Sequence, residues 1–275
     1  MTRPGTSMYD DREAAASYER LFVPFVIAPF AAALVKEVDP PDEGRVLDVG
    51  AGTCVASQIA ARAVGPSGIV VASEPSLAML AAARGKAAAI RPVAAAAPGL
   101  PFRDGAFDVA IANFVLSHVA DLAGALADMA RVVRRGGRVA ATAWVLTENP
   151  VSATWVEVAA RCMSLEDLGR AFRQHVPWEA ELGDEARISA ALEKAGLSTV
   201  AVKRVEHMIR VSVSDFLAMR ESSIEGRLLR WTLDPSATAA MRRDLAATFQ
   251  ERFEDGKVEY LRTALVAIGE KAPGS

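Results

Sequence analysis

Between residues 45 and 144 the chain alternates short apolar runs with longer stretches of helical spacing. "RVLDVG" reads as a buried strand bounded by Gly44 and Gly50, and "TCVASQIAARAVG" follows as a helix that stops at the "GPSG" turn. "IVVASE" is the next strand, and "PSLAMLAAARGKAAA" the next helix, with Pro75 just before Ser76 at its start. "RPVAAAA" is a third strand and Asp108 to Ala112 a fourth, after the tight "RDG" turn. Leu122, Leu126, Met129, Val132 and Val133 then fall on one helical stripe, which Gly136 and Gly137 end before a fifth strand, "RVAATAW". Strands that alternate with helices predict right-handed crossovers and a parallel sheet covered on both faces.

The flanks follow other patterns. Residues 11–38 read as helix interrupted by Pro24 and Pro29, and "DPPDEG" closes that segment. Residues 147–183 carry scattered aromatics and read as helices and loops. "RISAALEKAGLSTVAVKRVEHMIRV" restores a helix, a glycine stop at Gly196 and a strand; 214–255 is helical again. "KVEYLRTALVAIGEK" closes the chain as a strand with apolar residues on both faces.

Composition narrows the function classes. In 275 residues, 51% are hydrophobic and 24% charged, which describes an ordinary globular protein with room for a substantial core. The net charge of -3 lacks the basic footprint of a nucleic-acid binder. Cys54 and Cys162 make no metal-ligand spacing, and free thiols in a reducing compartment are expected. "LFVPFVIAPFAAALV" is short for a membrane span and holds two prolines, and "MTRPGTSMYDDREAAASYER" lacks the apolar core of a signal peptide. A cytoplasmic protein without a membrane span is the expectation.

The chemistry gathers at "RVLDVGAGTCVAS". Glycines after a strand let backbone approach a ligand closely, and the helix start supplies free N–H groups. Dinucleotides and S-adenosylmethionine both use this geometry. A dinucleotide fingerprint counted from Gly50 would need its last glycine at Val55, where a β-branched side chain hinders close packing of helix on strand. Glu74, at the end of the second strand, suits the ribose hydroxyls of either cofactor, or simply charges a helix N-terminus.

Four segments in order, "VLDVGAGT", "VVASEPSLAML", "LPFRDGAFDVAIANFVLSHVAD" and "MARVVRRGGRVAATAW", resemble class I S-adenosylmethionine-dependent methyltransferases, in particular the small-molecule group related to ubiquinone/menaquinone-biosynthesis enzymes. The resemblance implies an α/β fold: a doubly wound, seven-stranded, mostly parallel sheet whose last strand runs antiparallel. It implies residues 1–40 as an N-terminal helical lid and 41–275 as the methyltransferase domain, with lid insertions at about 147–183 and 214–255. S-adenosyl-L-methionine would be the cofactor and a small, largely apolar metabolite the methyl acceptor, on O, N or C. Asp48, Gly50, Ala51 and Gly52 would surround the methionine part, Glu74 the ribose diol, and Pro75 the adenine. Asn113 and Phe114 would face the methionine amine and the reacting methyl, while Tyr18 and Phe22 close the site from the N-terminal helix.

Two positions depart from that pattern. Cys54 replaces the glycine that usually ends the turn and cannot reach positive φ as cheaply. Ala96, with Ala97 beside it, stands where the family's Asp accepts a hydrogen bond from the adenine amine. A missing bond of that kind costs about 1 kcal/mol, which weakens binding without abolishing it. His118 is the candidate base, because it follows the fourth strand where the family's acceptor pocket opens; a hydrogen-bonded core histidine is the competing reading. Trp155, Phe172, Trp178, Phe216 and Trp231 are candidates for an apolar acceptor pocket, or for core. No metal cluster is expected. The alternatives are a methyltransferase fold with weakened cofactor binding and other chemistry, and a nicotinamide oxidoreductase. The sequence leaves the oligomeric state open.

Overall fold

The N-terminal apolar segment forms one continuous helix, α1 (Arg12–Val38), in the computed structural model, which describes residues 12–83, 85 and 89–273. The sequence predicted pieces broken at the prolines. Instead the helix widens over Tyr18–Ile27 into a π-helical stretch, where the Ala28 N–H bonds to the Val23 carbonyl. Pro24 brings no N–H and crowds the preceding turn, and the wider winding relieves both faults without ending the helix. By length and composition α1 would also suit a membrane crossing, but half of its apolar window is buried inside the protein. Phe30, Ala31 and Leu34 are fully enclosed against the sheet. The start of the expected N-terminal lid, residues 1–11, lies outside the described residues.

Seven strands make one sheet: β1 (Arg45–Val49), β2 (Ile69–Ser73), β3 (Ile90–Val93), β4 (Phe107–Asn113), β5 (Val133–Trp144), β6 (Leu197–Ser212) and β7 (Lys257–Lys271). Their spatial order is β3-β2-β1-β4-β5-β7-β6. All neighbours up to β5 pair in parallel, and β7 runs antiparallel to both β5 and β6, as the resemblance implied. The order reverses between β1 and β4, so the crevice beyond their carboxyl ends is where such a sheet binds ligands. The helices α2 (Val55–Val64), α3 (Leu77–Ala82) and α4 (Leu122–Val132) are crossovers of this sheet. Two strand limits differ from the sequence expectation. β5 starts at Val133 because the register slips opposite Phe107–Val109 and Gly136, at φ +70°, lets the strand bend. β3 ends at Val93 because the alanines after it bring no side chain that packs well on a sheet.

The loop between β3 and β4 is braced from α4. Arg131 donates to the carbonyls of Leu100 and Phe102 at 3.0 and 2.7 Å, while Asp128 accepts from the Gly99 and Leu100 N–H groups, each at 2.7 Å. Lys271 closes the far end of α4 by donating to the Ala130 and Val133 carbonyls at 2.8 and 2.9 Å.

The last β5–β7 pair is Trp144 with Ala264, yet β7 begins at Lys257 and β6 continues to Ser212. A two-stranded ribbon therefore projects past the carboxyl edge of the sheet. Around it lie α5 (Pro150–Ala159), α6 (Leu165–His175), α7 (Glu179–Leu182), α9 (Val213–Ser222), α10 (Ile224–Thr232) and α11 (Pro235–Arg252); α8 (Glu185–Lys194) precedes β6. Side-chain oxygens of Asn149, Ser164, Ser212, Ser223 and Asp234 accept N–H groups of the first turns, which fixes where these helices start. Their apolar faces and α1 form a second core around Trp155, Phe216 and Phe249, each at most 1% exposed. This core also takes in Phe114 and reaches Trp144 and Tyr18, so the helical cap and the sheet edge share one apolar wall.

Candidate functional site

The glycine loop leaves β1 through three left-handed residues: Gly50 at φ +63°, Gly52 at +54° and Cys54 at +65°. A Cβ on Gly50 would stand 2.2 Å from Val115 Cγ2, so sterics and backbone both demand glycine there. At Gly52 the same Cβ would meet only Tyr18 Cε1, at 3.8 Å, and the loop is open on that side beneath the tyrosine ring. Cys54 takes the left-handed conformation that the sequence made costly, by about 1–2 kcal/mol for an ordinary residue. Its side chain is 2% exposed and packs with Ala51 and Ala72.

Glu74 fixes the path of this loop. One carboxylate oxygen accepts from the Gly52 N–H at 2.9 Å and the other from the Ser76 N–H at 2.9 Å, while the Ala51 N–H donates to the Ser73 carbonyl at 3.0 Å. Glycine turn and α3 start are thereby tied through one buried carboxylate. Asp48 lies beneath, fully enclosed, with Oδ2 accepting from Ser57 Oγ at 2.6 Å. Its Oδ1 is sealed from solvent and has no hydrogen-bond partner among the described residues. Burial pushes the Asp48 pKa up to about 7; the hydrogen bonds from Ser57 oppose this and the charge of Glu74 adds to it.

The other predicted residues distribute around the same crevice. Pro75 is exposed after Glu74, and Leu77, at 70% exposure, offers a bare apolar surface beside it. Ala96 is exposed and Ala97 buried on the loop after β3. At the end of β4, Asn113 Oδ1 accepts from Thr142 Oγ1 at 2.9 Å, and the same Thr142 oxygen accepts the Phe114 N–H at 2.9 Å. Phe114 is held at φ +61°, rare for a bulky side chain, and its ring stacks on Trp144 at 3.7 Å and 8°. Phe30 meets both rings edge-on, at 5.7 and 5.1 Å. Tyr18 stacks with Phe22 at 6.1 Å, so both expected α1 residues stand together near the loop.

His118 ends a short 3-10 turn, Leu116–His118, that follows β4. The residue reaches the surface, with protein packed around the rest of it. Burial and then the neighbouring His175 bring its pKa down to about 4, so the imidazole is neutral near pH 7. The aromatics expected for the acceptor pocket or for core take several places. Trp155 and Phe216 fill the cap core, Trp178 Nε1 donates to the Val119 carbonyl at 2.8 Å, and Trp231 is 45% exposed. Sequence reasoning missed Leu77, beside Pro75, and Thr142 and Trp144, which hold Asn113 and Phe114. Trp144 stood in plain view at the end of the fifth strand, the position that signals a sheet-edge wall. Among the described residues, no group of three His, Cys, Asp or Glu could hold a metal ion.

Comparison with known proteins bears on this crevice. The methyltransferase domain family matches residues 47–141, from β1 through the middle of β5. The demethylmenaquinone methyltransferase of Mycolicibacterium vanbaalenii is 34% identical over 172 residues, covering 60% of this chain and 72% of that protein. The ubiquinone/menaquinone biosynthesis C-methyltransferase of Hahella chejuensis is 38% identical over 112 residues, 38% of this chain and 45% of its own. In fold, the chain is similar to phosphoethanolamine N-methyltransferase 2 of Haemonchus contortus, solved with S-adenosyl-L-methionine: TM-score 0.60 at 16% identity, over 98% of this chain and 61% of that one. These likenesses favour neither the nicotinamide reading nor a fold put to other chemistry. The chain belongs to the class I S-adenosylmethionine-dependent methyltransferases of the ubiquinone/menaquinone-biosynthesis type, and it uses S-adenosylmethionine to methylate a small molecule.

Proposed function

We propose that the methyl acceptor is a small, flat, largely apolar molecule, of the ring type named in the quinone-methylating relatives, seated beside Phe114 and Trp144 under the helical cap. The observation that carries this reading is the aromatic wall itself: the residue that follows Asn113 is locked into a stack with Trp144, next to the glycine loop. S-adenosylmethionine supplies, when bound, a methyl group already activated on a sulfonium. The protein's part is alignment, which can provide most of such a rate enhancement.

The residues present fit that cofactor. Asp48 Oδ1, buried without a partner among the described residues, suits a cationic amine, and the open side of Gly52 under Tyr18 leaves room for an amino-acid tail. Glu74 holds two backbone amides at the end of β2, and its carboxylate is the acidic group there for a ribose diol. Leu77 gives the adenine an apolar face next to Pro75, while Ala96 and Ala97 offer no side-chain acceptor to its amine. His118 is neutral at pH 7 and so free to take a proton, but a pKa of about 4 makes it a weak base. A cytoplasmic location belongs to the same reading, supported by the two free thiols Cys54 and Cys162.

The two glycines separate fold from binding. Gly50→Ala, blocked by Val115, should lower both the thermal midpoint and cofactor affinity. Gly52→Ala should cost only about 1–2 kcal/mol in backbone strain and cut S-adenosylhomocysteine affinity about tenfold or more in calorimetry. Equal affinity in Gly52→Ala and wild type would remove the loop from the site.

Asp48 sets a pH dependence. The raised folded pKa means that the ligand-free protein holds this proton more tightly than the unfolded chain does. Its stabilising effect is full below the unfolded value near 3.8 and lost as pH rises through about 7. A cationic amine favours the ionised carboxylate, so S-adenosylhomocysteine affinity should rise between pH 6 and 8, with proton release on binding. Asp48→Asn should flatten that profile; an equally steep profile in the variant would contradict the assignment.

For His118, a fully matched general base contributes about 10²–10⁴-fold, and one this weak should contribute less. On any acceptor that turns over, His118→Ala should lower kcat about tenfold while S-adenosylhomocysteine affinity stays within about twofold. An unchanged kcat would exclude it from the chemistry.

A further inference from the structure

The ribbon that overhangs the sheet edge carries a cation for which the methyl-donor site has no use. Arg262 lies on β7 opposite His207 of β6, two residues beyond the last β5 pair. Its guanidinium carbon stands 4.2 Å from the centre of the Trp144 ring. Phe114 covers a face of that ring, which leaves the opposite face for the arginine. Phe114, Trp144 and Arg262 therefore make one continuous stack that begins at the residue after Asn113. Among the described residues no hydrogen bond or ion pair within 4 Å reaches the guanidinium; the ring is its direct contact.

The surroundings make this arginine unusual. Arg262 is half-buried on the overhanging ribbon. Burial works against its charge, and the carboxyl groups of Glu179 and Glu225 nearby work in its favour. Arg220, the other cation of this region, is already paired with Glu225 at 3.2 Å and covers Trp155 at 4.0 Å. Glu179 is 9% exposed, shares a hydrogen bond with Ser117, and burial keeps its pKa above the usual carboxylate range. Arg262, over the Trp144 ring, thus presents a planar fork of donors that no hydrogen bond occupies among the described residues. A half-buried guanidinium with no direct hydrogen-bond partner can take a matching anion.

We propose that Arg262 is the specificity-determining residue for the acceptor, and that it binds a carboxylate carried by a flat, conjugated substrate. A carboxylate matches the planar guanidinium fork in geometry, with two oxygens for two N–H donors. This rests on the methyltransferase reading and sharpens it: the flat, otherwise apolar ring of the acceptor carries a carboxylate. The arginine acts by holding one end of the acceptor, which sets the other end against Phe114 and Asn113.

The test compares 2-naphthoate with its uncharged analogue 2-naphthamide by calorimetry on the full chain, with and without saturating S-adenosylhomocysteine. Wild type should prefer the carboxylate by about tenfold or more. Arg262→Met should lose that preference and still bind the amide, with S-adenosylhomocysteine affinity and thermal midpoint near wild type. Arg262→Gln, which keeps hydrogen bonding on a shorter, uncharged side chain, makes the same comparison should the Met variant fail to fold. Equal affinity of the two probes for wild type, no binding of either, or a preference that survives loss of the charge would each overturn the proposal. Failure of S-adenosylhomocysteine to bind would strike the cofactor site instead, since the naphthoate preference is also read without it.

Discussion

The site depends on one buried carboxylate. Glu74 accepts the Gly52 amide with one oxygen and the Ser76 amide with the other, at 2.9 Å each. Charge-assisted bonds of this kind are roughly twice as strong as neutral ones, and these two join segments that are otherwise separate loops. They hold the glycine turn in its left-handed path, place the start of α3, and leave the side of Gly52 open beneath Tyr18. Gly50 can then tuck against Val115 and Asp48 can stay buried with a free oxygen. A strained residue such as Cys54 survives because the loop around it is pinned from β2 and its side chain is packed.

Above that floor the protein divides its work between two cores. The sheet and its crossover helices are generic to the family, and the family match ends at residue 141, before the wall at Trp144. The cap helices, the far end of α1 and the β6–β7 ribbon have their own apolar core, which closes over Phe114. Methyl transfer from a sulfonium asks for alignment more than covalent assistance. In the proposed reading, the donor is held by the sheet and its glycine loop and the acceptor by the cap. Arg262 belongs to the second part.

What the sequence made legible follows from how local each feature is. The strand–glycine–helix pattern, Glu74 at the end of β2 and Asn113–Phe114 at the end of β4 are contiguous motifs, and the structure brings them to one crevice. The C-terminal strand could be read because buried strands show apolar residues on both faces. The π-helical stretch of α1 could not, since prolines signal a broken helix and only tertiary burial of Phe30 and Leu34 keeps the chain winding. Nor could the stack of Phe114, Trp144 and Arg262. It joins three distant parts of the chain through the register of β7 on β5 and the overhang of the ribbon. His118 was found by position, but its lowered pKa comes from burial and from His175, which no local pattern announces.

The central claim is that the Glu74-braced loop binds S-adenosylmethionine. Calorimetry of the full chain with S-adenosylmethionine, S-adenosylhomocysteine and NADH, repeated on Glu74→Gln, tests it most directly. The account predicts that both methionine nucleosides bind wild type, that NADH does not, and that Glu74→Gln weakens both nucleosides about tenfold or more. Folded wild type that binds neither nucleoside, or a Glu74→Gln variant that binds them as well as wild type, would contradict it.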